Sequence, residues 1–96
     1  MKTHTEVVSI LKQNKAHLFA KYPLKSMAIF GSYARNEQAD KSDIDIMVEF
    51  NDQIRIRFID LADEIEMILE TKVDMVSKKG MKERYYKAIK TDLLYV

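Results

Sequence analysis

Asp43 and Asp45 stand one residue apart, and a Gly31-Ser32 pair lies upstream with ten residues between Ser32 and Asp43. On a strand the two carboxylates point to one face, about 6.6 Å apart. Like charges repel, and Asp is a poor strand former. Two such positions beside an apolar face point to a bound cation. Mg²⁺ prefers hard oxygen ligands and usually takes one or two carboxylates, with waters and substrate phosphates completing its octahedron. A third carboxylate, for which Asp74 is the candidate, would allow two ions about 3.5–4 Å apart, a clamp for in-line attack at phosphorus. A bare D-x-D also occurs on ordinary solvated sheet faces. Gly31 permits a sharp turn and a close approach to a ligand. A helix starting at Ser32 would offer free N–H groups to a phosphate. Ser32 is equally suited to a simple N-cap, with Gly31 serving the turn. The two features at this spacing are more specific than either alone.

The elements that must position these residues follow from periodicity. Residues 4–21 read as a helix with Val7, Val8, Leu11, Leu18 and Phe19 along one face, ended by Pro23. Residues 25–30 read as a short buried strand, and 32–38 as a short helix. Residues 43–50 alternate, with Ile44, Ile46, Val48 and Phe50 on one face and Asp43, Asp45, Met47 and Glu49 on the other. Residues 55–70 carry Phe58, Leu61, Ala62, Ile65, Ile68 and Leu69 at helical spacing. Residues 72–77 read as a third strand, and 81–94 as a last helix with Met81, Tyr85, Ala88, Ile89 and Leu93. The expected architecture is α/β: a small mixed three-stranded sheet, order 1-2-3, flanked by helices in the sequence α-β-α-β-α-β-α. The long second connection suits a right-handed parallel crossover. An antiparallel pairing of strands one and two brings Gly31-Ser32 beside Asp43 and Asp45. Parallel pairing of strands two and three adds Asp74.

Length and composition bound the answer. The 96 residues suffice for one domain, 1–96, and 47% are hydrophobic, which argues against disorder. No apolar run approaches the roughly 20 residues of a membrane span. Cysteine is absent, which excludes thiolate metal sites and fits a cytoplasmic protein. Sixteen basic and fifteen acidic residues leave a formal charge of +1, so nothing draws the chain to nucleic acid or membrane in general. Nucleotide binding must come from a local site.

Gly31-Ser32-Tyr33-Ala34-Arg35-Asn36 and Ser42-Asp43-Ile44-Asp45-Ile46 together closely resemble the G-S-x-A-R-G…S-D-I-D-L signature of the DNA polymerase beta-like nucleotidyltransferases. The short chain and Lys72-Val73-Asp74-Met75-Val76 are similar to the minimal nucleotidyltransferases (MNT), antitoxin partners of HEPN ribonuclease toxins. The resemblance implies that Asp43 and Asp45 ligate Mg²⁺, with two ions expected, and that Asp74 completes the metal site and helps activate the attacking hydroxyl. It implies that Gly31, Ser32 and Ser42 belong to the nucleotide site, and that Arg35 either supports the phosphates or forms an ion pair that holds the loop. Asn36 departs from the usual Gly, but Asn tolerates a left-handed backbone best among the other residues. The implied reaction is AMP transfer from ATP to a tyrosine hydroxyl of a HEPN toxin, which silences it. Two other readings stay open: an antitoxin that binds without catalysis, and nucleotidyl transfer to a small molecule such as an aminoglycoside. The chain leaves no room for a substrate domain, so the acceptor is expected to dock from outside. Self-association as a homodimer, or assembly with the toxin, is left open.

The remaining features have plain readings beside functional ones. Lys78, Lys79, Lys82, Arg84, Lys87 and Lys90 suit a solvated helix face or a docking surface. Tyr86 and Leu94 fall off the apolar stripe and are candidates for a partner contact. His4 and His17 lack partners at metal-ligand spacing and are expected on the surface.

Overall fold

Helix α1 (His4–Lys21) begins at a capping box. Thr3 Oγ1 accepts from the Glu6 N–H at 3.1 Å, and Glu6 Oε1 accepts from the Thr3 N–H at 3.2 Å. The helix ends at extended Tyr22, which Pro23 holds out of the helical region. The computed structural model describes residues 2–39 and 43–96. After α1 come β1 (Leu24–Phe30), the single helical turn α2 (Gly31–Ala34), β2 (Ile44–Phe50), α3 (Arg57–Leu69), β3 (Val73–Ser77), α4 (Glu83–Ile89), a 3₁₀ turn (Lys90–Asp92) and β4 (Leu94–Tyr95). The sheet order is β3-β2-β1-β4. β1 runs antiparallel to β2 and β4, and β2 runs parallel to β3.

The expected 1-2-3 core of the mixed sheet is present, but the sheet has four strands rather than three. The predicted helix over 81–94 also stops early, at Ile89. Leu94 and Tyr95 instead pair with Ile29 and Ala28, and the Val96 N–H donates to Met27 O at 3.0 Å. The cause is the open edge of β1, whose backbone groups need partners. Two residues are too few for a period of two to stand out against the helical spacing of Ile89 and Leu93.

One face of the sheet is dry. Met27, Ile29, Ile44, Ile46 and Val48 meet Val7, Leu11 and Leu18 of α1 and Leu61, Ile65 and Leu69 of α3, all fully buried. Each such side chain stabilises the fold by about 1.5–3 kcal/mol relative to exposure. The same alternation sends Phe30, Asp45 and Asp74 to the opposite face. There the Phe30 ring meets Tyr85 of α4 edge-on, with centroids 6.4 Å apart. The packing of one face therefore fixes which residues the other presents.

Candidate active site

Three strand ends meet at one corner of the second face. Asp45 is the register partner of Phe30 on antiparallel β1 and of Asp74 on parallel β3. Asp43 lies two residues before Asp45 and is exposed, as is Asp74. Burial pushes the Asp45 carboxyl above its ordinary value, and the charges of Asp74 and then Asp43 push it further in the same direction. Arg35 opposes them weakly. Among the described residues, no three or more Asp, Glu, His or Cys side chains are grouped as they would be around a metal ion. The carboxylates share a corner without closing into a cage.

Phe30 ends β1, and Gly31 turns the chain at φ +72°. A Cβ on Gly31 would lie 2.3 Å from Asp45 Oδ2. Glycine here serves two ends at once, the left-handed backbone and the room taken by the Asp45 carboxylate. α2 spans four residues instead of the predicted 32–38, so its macrodipole is small. Ser32 is half-buried at its second position. The turn closes through Arg35 N–H to Gly31 O (3.1 Å) and Glu37 N–H to Ser32 O (2.8 Å). Asn36 adopts φ +57°, the left-handed conformation expected of it in place of Gly. Arg35 points to Asp92, with Nη1 donating to Oδ2 at 3.0 Å, and its Nε lies 3.3 Å from Glu37 Oε1. Both partners are carboxylates, so Arg35 is ion-paired on two sides. Ser42 lies outside the described residues.

Sequence reasoning missed two neighbours of this corner. Asp92 holds Arg35 across 57 positions, and His4 Nδ1 hydrogen-bonds Tyr33 O across 29. His4 is half-buried rather than a surface residue, and His17 is exposed but paired with Glu64 at 2.9 Å. Neither contact leaves a local signal in the sequence. Tyr86 and Leu94, the candidate partner contacts, are both half-buried. Tyr86 is half-buried under the Lys78 ammonium, and Leu94 packs on the core. The exposed tyrosines are Tyr85 and Tyr95.

Known proteins resemble this chain in sequence and in fold. A family model described as polymerase beta nucleotidyltransferase matches residues 6–95. A Methanocaldococcus jannaschii protein, provisionally named protein adenylyltransferase MJ0128, is 50% identical over 98 aligned residues, spanning all of both chains. The protein adenylyltransferase MntA of Thermococcus cleftensis is 34% identical over 97, covering all of this chain and 98% of its own. A chain from the solved MntA–HpeT toxin–antitoxin complex superposes with a TM-score of 0.69 at 22% identity. That match covers 98% of this chain and 72% of the other, and is a likeness of fold. With a family model spanning nearly its whole length and a relative identical at half its positions, this chain belongs to the polymerase beta nucleotidyltransferase family and is a nucleotidyltransferase.

Proposed function

We propose that this chain transfers AMP from Mg²⁺-ATP to a tyrosine hydroxyl of a HEPN ribonuclease toxin and so neutralises it. The reading rests on one observation above all. Asp45 is in register with Asp74 on one side and with Phe30, the residue before Gly31, on the other. That register sets carboxylates beside the Gly31 turn. The names of the relatives, protein adenylyltransferases and an antitoxin in complex with its toxin, support the same chemistry.

The residues present fit Mg²⁺. All candidate donors are hard carboxylate oxygens, and a cation would offset the burial and then the neighbouring charges that raise the Asp45 carboxyl. An open set of two or three carboxylates also suits an ion that draws its other ligands from water and phosphate. Asp43 and Asp45 would hold it, with Asp74 completing the set and leaving room for a second ion. Bound Mg²⁺ supplies charge neutralisation on the phosphates and a lower pKa for the acceptor hydroxyl.

The chain's own groups do the rest. Gly31 and Ser32 hold the triphosphate tail against the turn, Ser42 belongs to the same nucleotide site, and Arg35 keeps the loop in place. Asp74, exposed at the rim, orients the incoming hydroxyl toward the α-phosphorus. The tyrosine hydroxyl gives up its proton to water, and its oxygen forms a bond to that phosphorus as the bond to pyrophosphate breaks. Positioning and electrostatics provide the acceleration. A reaction that consumes ATP would suit the cytoplasm; separately, among the described residues no helix is long and apolar enough to cross a membrane.

The test is incubation with α-labelled ATP, Mg²⁺ and a candidate HEPN partner protein. Label should appear on a toxin tyrosine only with Mg²⁺, and toxin RNase activity should fall in step. Toxin that stays unlabelled yet is neutralised equally by wild type and an Asp43→Ala/Asp45→Ala variant would overturn the proposal in favour of inhibition by binding alone.

A further inference from the structure

A four-residue helix cannot hold its own shape. Nucleating one turn fixes several dihedrals for a single hydrogen bond. α2 also begins at a glycine with positive φ, which loses more conformational freedom on ordering than other residues do. The geometry of the Gly31–Ala34 turn must therefore be imposed by its neighbours. The Tyr33 side chain, only 2% exposed, anchors it in the core. The backbone needs further restraint, and two side chains supply it.

His4 is the first residue of α1, and the Thr3–Glu6 capping box fixes the backbone that carries it. Its Nδ1 meets Tyr33 O. A carbonyl can only accept, so Nδ1 carries the proton and donates. Tyr33 O also accepts the Asn36 N–H at 3.2 Å, so one oxygen ties the turn's closure to α1. On the other side, Asp92 grips Arg35, which immediately follows the turn. Asp92 ends the 3₁₀ segment that leads into β4, and β4 is pinned to Ala28 and Ile29 just ahead of Phe30. His4 is thus carried by α1, and Asp92 by the turn that leads into the paired strand β4.

We propose that His4 and Asp92 are positioning residues for nucleotide binding, bracing the Gly31–Ala34 turn from α1 and from the turn before β4. The inference rests on the proposed role of Gly31 and Ser32 in holding the triphosphate. Neither brace touches the nucleotide. Each narrows the turn to its phosphate-ready shape, so its loss lowers the fraction of molecules competent to bind.

The experiment measures binding of Mg²⁺ with a non-hydrolysable ATP analogue by calorimetry, beside thermal melts and amide hydrogen exchange of the free protein. His4→Ala and Asp92→Ala should each raise Kd by about fivefold, the scale of one hydrogen bond. His4→Asn, whose amide N–H takes the place of Nδ1–H, should return Kd to within about twofold of wild type. The amides of Arg35, Asn36 and Glu37, which close the turn, should exchange faster in both alanine variants and at the wild-type rate in His4→Asn. Unchanged Kd in folded alanine variants would overturn the brace while leaving the nucleotide site standing. A wild type that fails to bind the analogue would overturn the nucleotide site. Unchanged amide exchange in the alanine variants would then reject the brace on its own account.

Discussion

Gly31 and Asp45 occupy space that only a glycine can share: a Cβ on Gly31 would sit 2.3 Å from Asp45 Oδ2. The turn and the carboxylate corner are thus one packed unit. Gly31→Ala forces either the carboxylate or the turn to move, and adds left-handed strain of roughly 1–2 kcal/mol. A melt should show a stability loss of about that size. Nucleotidyl transfer should fall much further, by about a hundredfold, because misplacement of about 1 Å at a reacting site carries that penalty. Comparing Tm with transfer rate in the same preparation checks both.

Asp45 gives a pH signature of definite sign. Its carboxyl is raised in the fold, by burial first and then by Asp74 and Asp43, from an ordinary value of 3.8. Its favourable contribution is therefore fully present below 3.8 and is lost as pH rises through the raised folded value. At neutral pH the folded state carries an unrelieved repulsion. Asp45→Asn should be more stable than wild type at pH 7, by about 1 kcal/mol, while transfer falls by about a hundredfold or more. The stability gap should close on acidification. Mg²⁺ should raise the wild-type Tm but leave that of the variant nearly unchanged.

The corner was legible because its determinants are periodic. Alternation over 43–50 assigns Asp43 and Asp45 to one face, and a connection as long as α3 implies the parallel partner that brings Asp74 alongside. α1 was legible to the residue because its apolar face is periodic and Pro23 ends it. β4 was not, since a two-residue strand has no pattern of its own and exists only because β1 has an open edge. His4 and Asp92 escaped for a related reason. Their partners lie 29 and 57 positions away, and nothing local marks a histidine or an aspartate as the brace of a distant turn.

Glu64 should show the opposite pH sign, far from the carboxylate corner. Its side chain, 17% exposed, accepts from Lys21 at 2.7 Å, His17 at 2.9 Å and Tyr22 at 3.0 Å, joining α1 to α3. The bond to Lys21, then those to Tyr22 and His17, hold its carboxyl below the ordinary 4.5. Its contribution is present above 4.5 and is lost as pH falls through the depressed folded value. Glu64→Gln should therefore cost about 1 kcal/mol at pH 7 and progressively less below pH 4.5. Urea melts from pH 3 to 7 read this directly, and transfer activity at pH 7 should hold within about twofold in the folded fraction.

Asn36 isolates backbone shape from side-chain chemistry at the end of the α2 turn. Its φ of +57° is tolerable for Asn and free of strain for Gly, the residue usual at this position in the family it resembles. Asn36→Gly should leave stability and transfer within about twofold of wild type. Asn36→Ala keeps a Cβ in the left-handed region without a polar group to compensate, so stability should drop by about 1 kcal/mol. If the turn must hold its shape for nucleotide to bind, the alanine variant should also weaken binding of the Mg²⁺-ATP analogue several-fold, and the glycine variant should not. Equal binding in both, with the stability difference present, would mean that the left-handed residue serves the fold and not the site.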